Sequence, residues 1–165
     1  MTLVATAAVV ACGSQAKKSV SLPQVVQPVE YSYKVKNIYP HSTNSYTQGL
    51  QYVDGVMWEG TGEYGHSEIN TYALGDEKPQ TKLKLPRNEF GEGITLLGDK
   101  LYQLTWESHK AYLYDGDGRL LKTIPYRGEG WGITTDGERL FLSDGTSTIR
   151  RIDPDTFVTE ESICV

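Results

Sequence analysis

The chain has 165 residues, a net charge of −5, 22% charged and 38% hydrophobic residues, the balance of an ordinary soluble globular protein. That charge argues against a nucleic-acid partner, and the apolar content is too high for a disordered chain. With 17 Gly, 7 Pro and no helical apolar stripe of useful length, the composition points to frequent turns and an all-β fold.

In chain order, Leu3 to Ala11 is a short apolar run, too short to span a bilayer and suited to the core of a signal peptide. It leads into Val9-Val10-Ala11-Cys12-Gly13, which resembles a bacterial lipobox, so residues 1–12 read as a lipoprotein-type signal with Cys12 as the lipidation site. The expected location is the cell envelope, lipid-anchored and facing the periplasm or exterior, with the anchor as the only membrane contact. Residues 13–30, rich in Ser, Gln, Lys and Pro, read as a flexible tether. Tyr31 to Lys36 then alternates like a strand, one that in a closed propeller could pair with the last blade, and the folded region reads as 31–165.

From there the chain repeats. Gln48-Gly49-Leu50, Glu92-Gly93-Ile94 and Trp131-Gly132-Ile133 are spaced 44 and then 39 residues apart, the period of a four-stranded propeller blade. Each copy runs through a turn (Asp54-Gly55, Gly98-Asp99, Asp136-Gly137) into a second shared block: Met57 to Gly62, Leu101 to Trp106 and Leu140 to Gly145. A third run follows at Glu68–Tyr72, Ala111–Tyr114 and Thr148–Ile152, each with the alternation of a half-buried strand. A fourth follows the next turn, as at Leu120–Ile124. The expected fold is a partial β-propeller of about three blades starting near residues 46, 90 and 129. Since propellers close with roughly four to eight blades, the chain reads as the N-terminal part of a longer protein. Cys164 falls in the last strand and reads as a small strand residue rather than half of an intramolecular disulfide.

The innermost strand of each blade lines the central channel, so residues there converge from distant parts of the sequence. Alternation places Tyr46 with Gln48, Phe90 with Glu92, and Glu129 with Trp131, which would give one pocket with aromatic walls and a single central carboxylate. The glycines of the repeat are expected to permit close packing between blades. Trp106 departs from its sisters Gly62 and Gly145, which marks it as a site candidate. Buried indoles usually serve packing, whereas Glu92 within Phe90-Gly91-Glu92-Gly93 has no apolar purpose and is the strongest functional candidate. His41, His66 and His109 lack the close spacing of a zinc site, and Asp115-Gly116-Asp117-Gly118 reads as a hairpin turn rather than a calcium loop. No metal and no cofactor is expected.

Read together, Tyr39-Pro40-His41, Tyr46-Thr47-Gln48-Gly49-Leu50, Glu59 to Gly65, Phe90 to Ile94, Gln103 to Trp106, Gly130 to Ile133 and Ser143 to Thr146 resemble the plant and bacterial type of glutamine cyclotransferase. The resemblance runs from about Val35 to the end. It implies a five-bladed propeller, monomeric when full length, that converts the N-terminal glutamine of peptides to pyroglutamate with release of ammonia and without a catalytic zinc. It further implies Glu92 as the acid/base and Tyr46, Gln48, Phe90, Trp106 and Trp131 as substrate contacts, with Tyr46 where the family usually has Phe. A further Asn, Trp and Lys would lie beyond residue 165. A non-catalytic cell-surface propeller binding peptide or glycan, and a propeller enzyme with a central metal, are the competing readings.

Overall fold

The computed structural model describes residues 29–76 and 78–165. Cys12 and most of the expected tether therefore lie outside the described residues. Asn37–Val165 forms a compact unit, and residues 29–36 belong to a separate one. The stretch Tyr31–Lys36, expected to be a strand, forms none, and Tyr31 and Tyr33 are almost fully exposed. A strand is held by hydrogen bonds to a neighbour, and no described residue pairs with this segment.

The unit is all strand and turn among the described residues. Three antiparallel sheets follow one another along the chain, each a four-stranded meander. The first contains β1 (Thr47–Val53), β2 (Val56–Thr61), β3 (Glu68–Ala73) and β4 (Gln80–Lys84). The second contains β5 (Gly91–Leu97), β6 (Lys100–Thr105), β7 (Lys110–Asp115) and β8 (Leu120–Pro125). The third contains β9 (Gly132–Thr135), β10 (Leu140–Ser143), β11 (Thr148–Ile152) and β12 (Thr159–Cys164). The expected turns join them: Asp54 and Gly55 both have positive φ, 50° and 86°, the geometry a two-residue hairpin needs to match strand twist. In the loop from Asp115 to Arg119, the Asp115 carboxylate accepts hydrogen bonds from the backbone N–H groups of Asp117 and Arg119 and so closes a turn. Cys164 lies exposed on β12.

The sheets are blades of a β-propeller, with β1, β5 and β9 as neighbouring inner strands. Glycine permits their approach. A Cβ on Gly49 would stand 2.5 Å from Ile94 N, and one on Gly93 would stand 2.7 Å from both Ile133 N and Trp131 O. The gap is small enough that Gly93 N–H donates across it to Trp131 O at 2.8 Å.

Two apolar layers fill the spaces between blades. Ile69, Leu85, Ile94, Leu101, Tyr112 and Tyr114 pack between the first and second, while Tyr102, Leu104, Leu113, Ile133, Leu140 and Leu142 lead the layer between the second and third. Each fully buried Leu or Ile contributes about 1.5–3 kcal/mol. The second blade thus has a neighbour on both faces. Its β7, expected to be half-buried, is buried at four consecutive positions, Ala111 and Leu113 facing one layer and Tyr112 and Tyr114 the other. The last strands, β4, β8 and β12, are largely exposed, so the fold is densest at its inner strands, where the candidate site begins.

Candidate functional site

The N-terminal ends of β1, β5 and β9, with the residues just before them, converge on a cleft of about 510 Å³. Tyr46, Gln48, Phe90, Glu92, Trp106 and Trp131 all line it, together with Glu63 and Gly132. The structure therefore brings together all six candidates named from the sequence, although Tyr46 and Trp131 are 85 residues apart.

Glu92 forms the floor. It is only 8% exposed, and Gln48 Nε2 donates to its Oε2 at 2.8 Å. That is the one hydrogen bond its carboxyl makes among the described residues. Burial raises its pKa from 4.5 to about 7; the Gln48 hydrogen bond pulls the other way, and the negative charge of Glu129 adds to the rise. Near neutral pH the group therefore exists in both protonation states.

The wall is a chain of rings meeting edge to face. Phe90 lies at its centre, 6.2 Å from Tyr46, 5.5 Å from Tyr64 and 5.7 Å from Trp106, centroid to centroid. The repeat position of Trp106 now has a physical reading. In the first blade, a Cβ on Gly62 would run into the Phe90 ring, and in the third, one on Gly145 would stand 2.7 Å from the Trp131 indole. Gly62 makes room for a ring of the next blade and Gly145 for the indole of its own blade, whereas the second blade places an indole at this position itself. Trp131 is 48% exposed, so it is a cleft residue and not part of the apolar layers.

The expectation of a single central carboxylate needs correction. The charge of Glu129 bears on Glu92, and one of its oxygens, Oε2, accepts both indole N–H groups, from Trp106 at 2.7 Å and from Trp131 at 2.8 Å. Those two bonds, Trp131's first, hold the Glu129 pKa below the ordinary glutamate value. A third acid, Glu63, reaches the rim from a backbone with φ of 82°, a left-handed conformation that side-chain-bearing residues seldom adopt. Its carbonyl accepts from Ser67 Oγ at 2.8 Å, and the same hydroxyl accepts from Gly91 N–H at 2.9 Å, tying the Glu63 turn to the start of β5.

Behind the cleft, two further carboxylates are fully engaged. Glu59, with no exposure, accepts from His41 Nε2 at 2.9 Å, Thr47 Oγ1 at 2.5 Å and Ser45 Oγ at 3.3 Å. Glu89, 2% exposed, accepts from Lys110 Nζ at 2.8 Å and the Tyr112 hydroxyl at 2.5 Å. His109 caps the carbonyl of Gly128, so the histidines serve different places. Among the described residues, no group of three or more His, Cys, Asp or Glu side chains is arranged to hold a metal ion.

The blades of this β-propeller thus bring a buried, readily protonated carboxyl, an amide and a wall of rings to one cleft. A family model for glutamine cyclotransferase matches residues 3–165. A glutaminyl-peptide cyclotransferase from Arabidopsis thaliana is 38% identical over 145 residues, covering 82% of this chain and 45% of that protein. The crystal structure of the glutaminyl cyclase of Myxococcus xanthus superposes with a TM-score of 0.68 at 33% identity, covering 77% of this chain and 54% of that one. A nidogen/laminin complex also matches, with a TM-score of 0.56 at 15% identity, a likeness of fold alone. The chain belongs to the glutamine cyclotransferase family. It spans about half the length of the relatives it matches.

Proposed function

We propose that the full-length protein cyclises the N-terminal glutamine of peptides or proteins to pyroglutamate, releasing ammonia. The observation that carries this reading is Glu92, a carboxyl raised to about 7 at the floor of an aromatic cleft. The substrate's α-amine attacks its own γ-carboxamide carbon. A C–N bond forms to close the five-membered lactam, and the bond to the amide nitrogen breaks. Because nucleophile and electrophile belong to one molecule, the protein's main task is to hold the ring-forming conformer, which Phe90, Trp106 and Trp131 would do by enclosing the flat side chain. The attacking nitrogen must lose a proton and the leaving nitrogen must gain one. In this reading Glu92 accepts the first and delivers the second, a double role that suits a group poised near neutral pH. Gln48 holds one carboxyl oxygen in place, leaving the other for the substrate.

A non-catalytic binder of peptide or glycan would use the rings but would have no use for a buried titrating acid at their centre. Its address, in our reading, is the cell envelope, with Cys12 acylated; the support is the Val9-Val10-Ala11-Cys12 motif. Ammonia release from a peptide with N-terminal glutamine tests the reaction. The full-length protein is expected to turn over, and Glu92→Gln to lower kcat by about 10²–10⁴-fold with the fold retained. Full turnover by that variant would remove Glu92 from the acid/base role.

A further inference from the structure

Trp131 and Trp106 come from different blades, the first exposed and the second half-buried against Phe90. Trp131 is 48% exposed, a state in which an indole ordinarily samples several rotamers. Their rings are nevertheless brought to one point, because Glu129 Oε2 accepts both N–H groups at 2.7 and 2.8 Å. We propose that Glu129 is a positioning residue, a clamp that sets the spacing of the two indoles and so fixes the width of the slot for the substrate side chain. The inference rests on the proposed cyclisation for its kinetic consequences and on the hydrogen bonds alone for the clamp itself.

The loop that carries Glu129 is built to keep the carboxylate still. The Gly128 carbonyl accepts from His109 Nδ1 at 2.7 Å, and Arg150 donates to the Arg127 carbonyl at 3.2 Å and to the Glu129 carbonyl at 3.5 Å. Asp144 holds the Arg150 guanidinium in turn, at 3.5 Å. On either side of the loop, the Tyr126 hydroxyl donates to the Thr105 carbonyl, and the backbone N–H of Trp131 donates to the Ser143 carbonyl at 2.9 Å. A carboxylate on a pinned loop loses little freedom when it binds, so its two charge-assisted hydrogen bonds can act on the rings rather than on itself. The position also departs from its own repeat. The residues two places before the repeated glycine-flanking position are Tyr46 and Phe90 in the first two blades, and Glu129 in the third. A carboxylate replaces a ring where two rings need an acceptor.

The test uses the full-length protein with Glu129→Ala and Glu129→Gln. Glu129→Ala removes the acceptor; Glu129→Gln keeps a carbonyl oxygen that can take both N–H groups but removes the charge. In the alanine variant, the indole N–H resonances of Trp106 and Trp131 are expected to shift while that of Trp58 stays, showing an intact fold. The KM for a Gln-peptide should rise about tenfold, with kcat falling less than KM rises. The glutamine variant should return KM to within about threefold of the unmodified protein. Unmoved Trp106 and Trp131 resonances in Glu129→Ala would overturn the clamp, as would a glutamine variant as impaired as the alanine one. The resonances do not depend on turnover. A full-length protein that released no ammonia would therefore sink the proposed reaction and leave the clamp to be judged by the indole signals.

Discussion

The carboxylates behind the cleft and the carboxylate on its floor sit at similar depth, yet the protein treats them differently. Glu59 and Glu89 are 0% and 2% exposed and Glu92 is 8% exposed, so burial does not separate them. Their partners do. Glu59 accepts from three side chains and Glu89 from an ammonium and a phenol, whereas Glu92 has Gln48 alone. A buried carboxylate with its oxygens occupied is a structural anchor, because its donors replace the water it gave up. One left short of donors keeps its proton more tightly and remains available to a ligand. The contrast is what favours Glu92, rather than Glu59 or Glu89, as the proposed acid/base.

Removing an anchor should have the largest effect on the fold. Glu89→Ala leaves the Tyr112 hydroxyl buried without its acceptor and Lys110 without its counter-ion, and is expected to cost about 2–4 kcal/mol, read as a lower midpoint in urea. If stability were unchanged, Glu89 would not be an anchor and the contrast would fail. Glu92→Gln should do the reverse. Folding raises the Glu92 pKa from 4.5 to about 7, so the unfolded chain releases the proton first and the fold loses stability as pH climbs between those values. The glutamine variant escapes that loss. It should be more stable than the unmodified protein at pH 8 by roughly 1–3 kcal/mol and equal to it near pH 4, a difference that thermal melts at both pH values would reveal. The smallest effect is expected from Gln48→Ala. Without the one donor that favours the ionised form, the Glu92 pKa rises further, and the acidic limb of the kcat profile should move up by roughly half to one pH unit. A limb that moved down would mean that Gln48 acts on the substrate and not on Glu92.

Much of this was legible in the sequence because the fold is a repeat. The repeated Gly-Leu/Ile dipeptides mark the inner strands and the Asp-Gly turns the hairpins, so Tyr46, Gln48, Phe90, Glu92 and Trp131 fall together without a structure, while Trp106 stands out by departing from its repeat and joins the pocket through the family resemblance. Glu129 was paired with Trp131 on one face, yet its role was not seen, because alternation gives the face of a side chain and not its hydrogen bonds. A signal did exist: among Tyr46, Phe90 and Glu129, the third is the exception, and the rule that singled out Trp106 applies to it equally. Glu63 had no such signal, since its placement depends on a left-handed φ at a non-glycine residue. Glu59 and Glu89 were also out of reach, their donors coming from other strands and loops. Tyr31–Lys36 is a different case: its alternation is real, but a strand exists only where a neighbour completes it, and the partner expected for it is the last blade of a closed propeller.

The shared acceptor of Trp106 and Trp131 also gives the protein an optical handle. The chain has three tryptophans. Two stand in the cleft with their N–H groups on one carboxylate, and the third, Trp58, packs against the apolar layer between the first two blades with Lys82 Nζ 6.0 Å from its ring centre. Indole emission responds to water access and to nearby charge, so among the three tryptophans of this chain a molecule that displaces solvent from the cleft changes the signal of two, while Trp58 reports on the fold. Intrinsic fluorescence can therefore follow cleft occupancy in real time without any label.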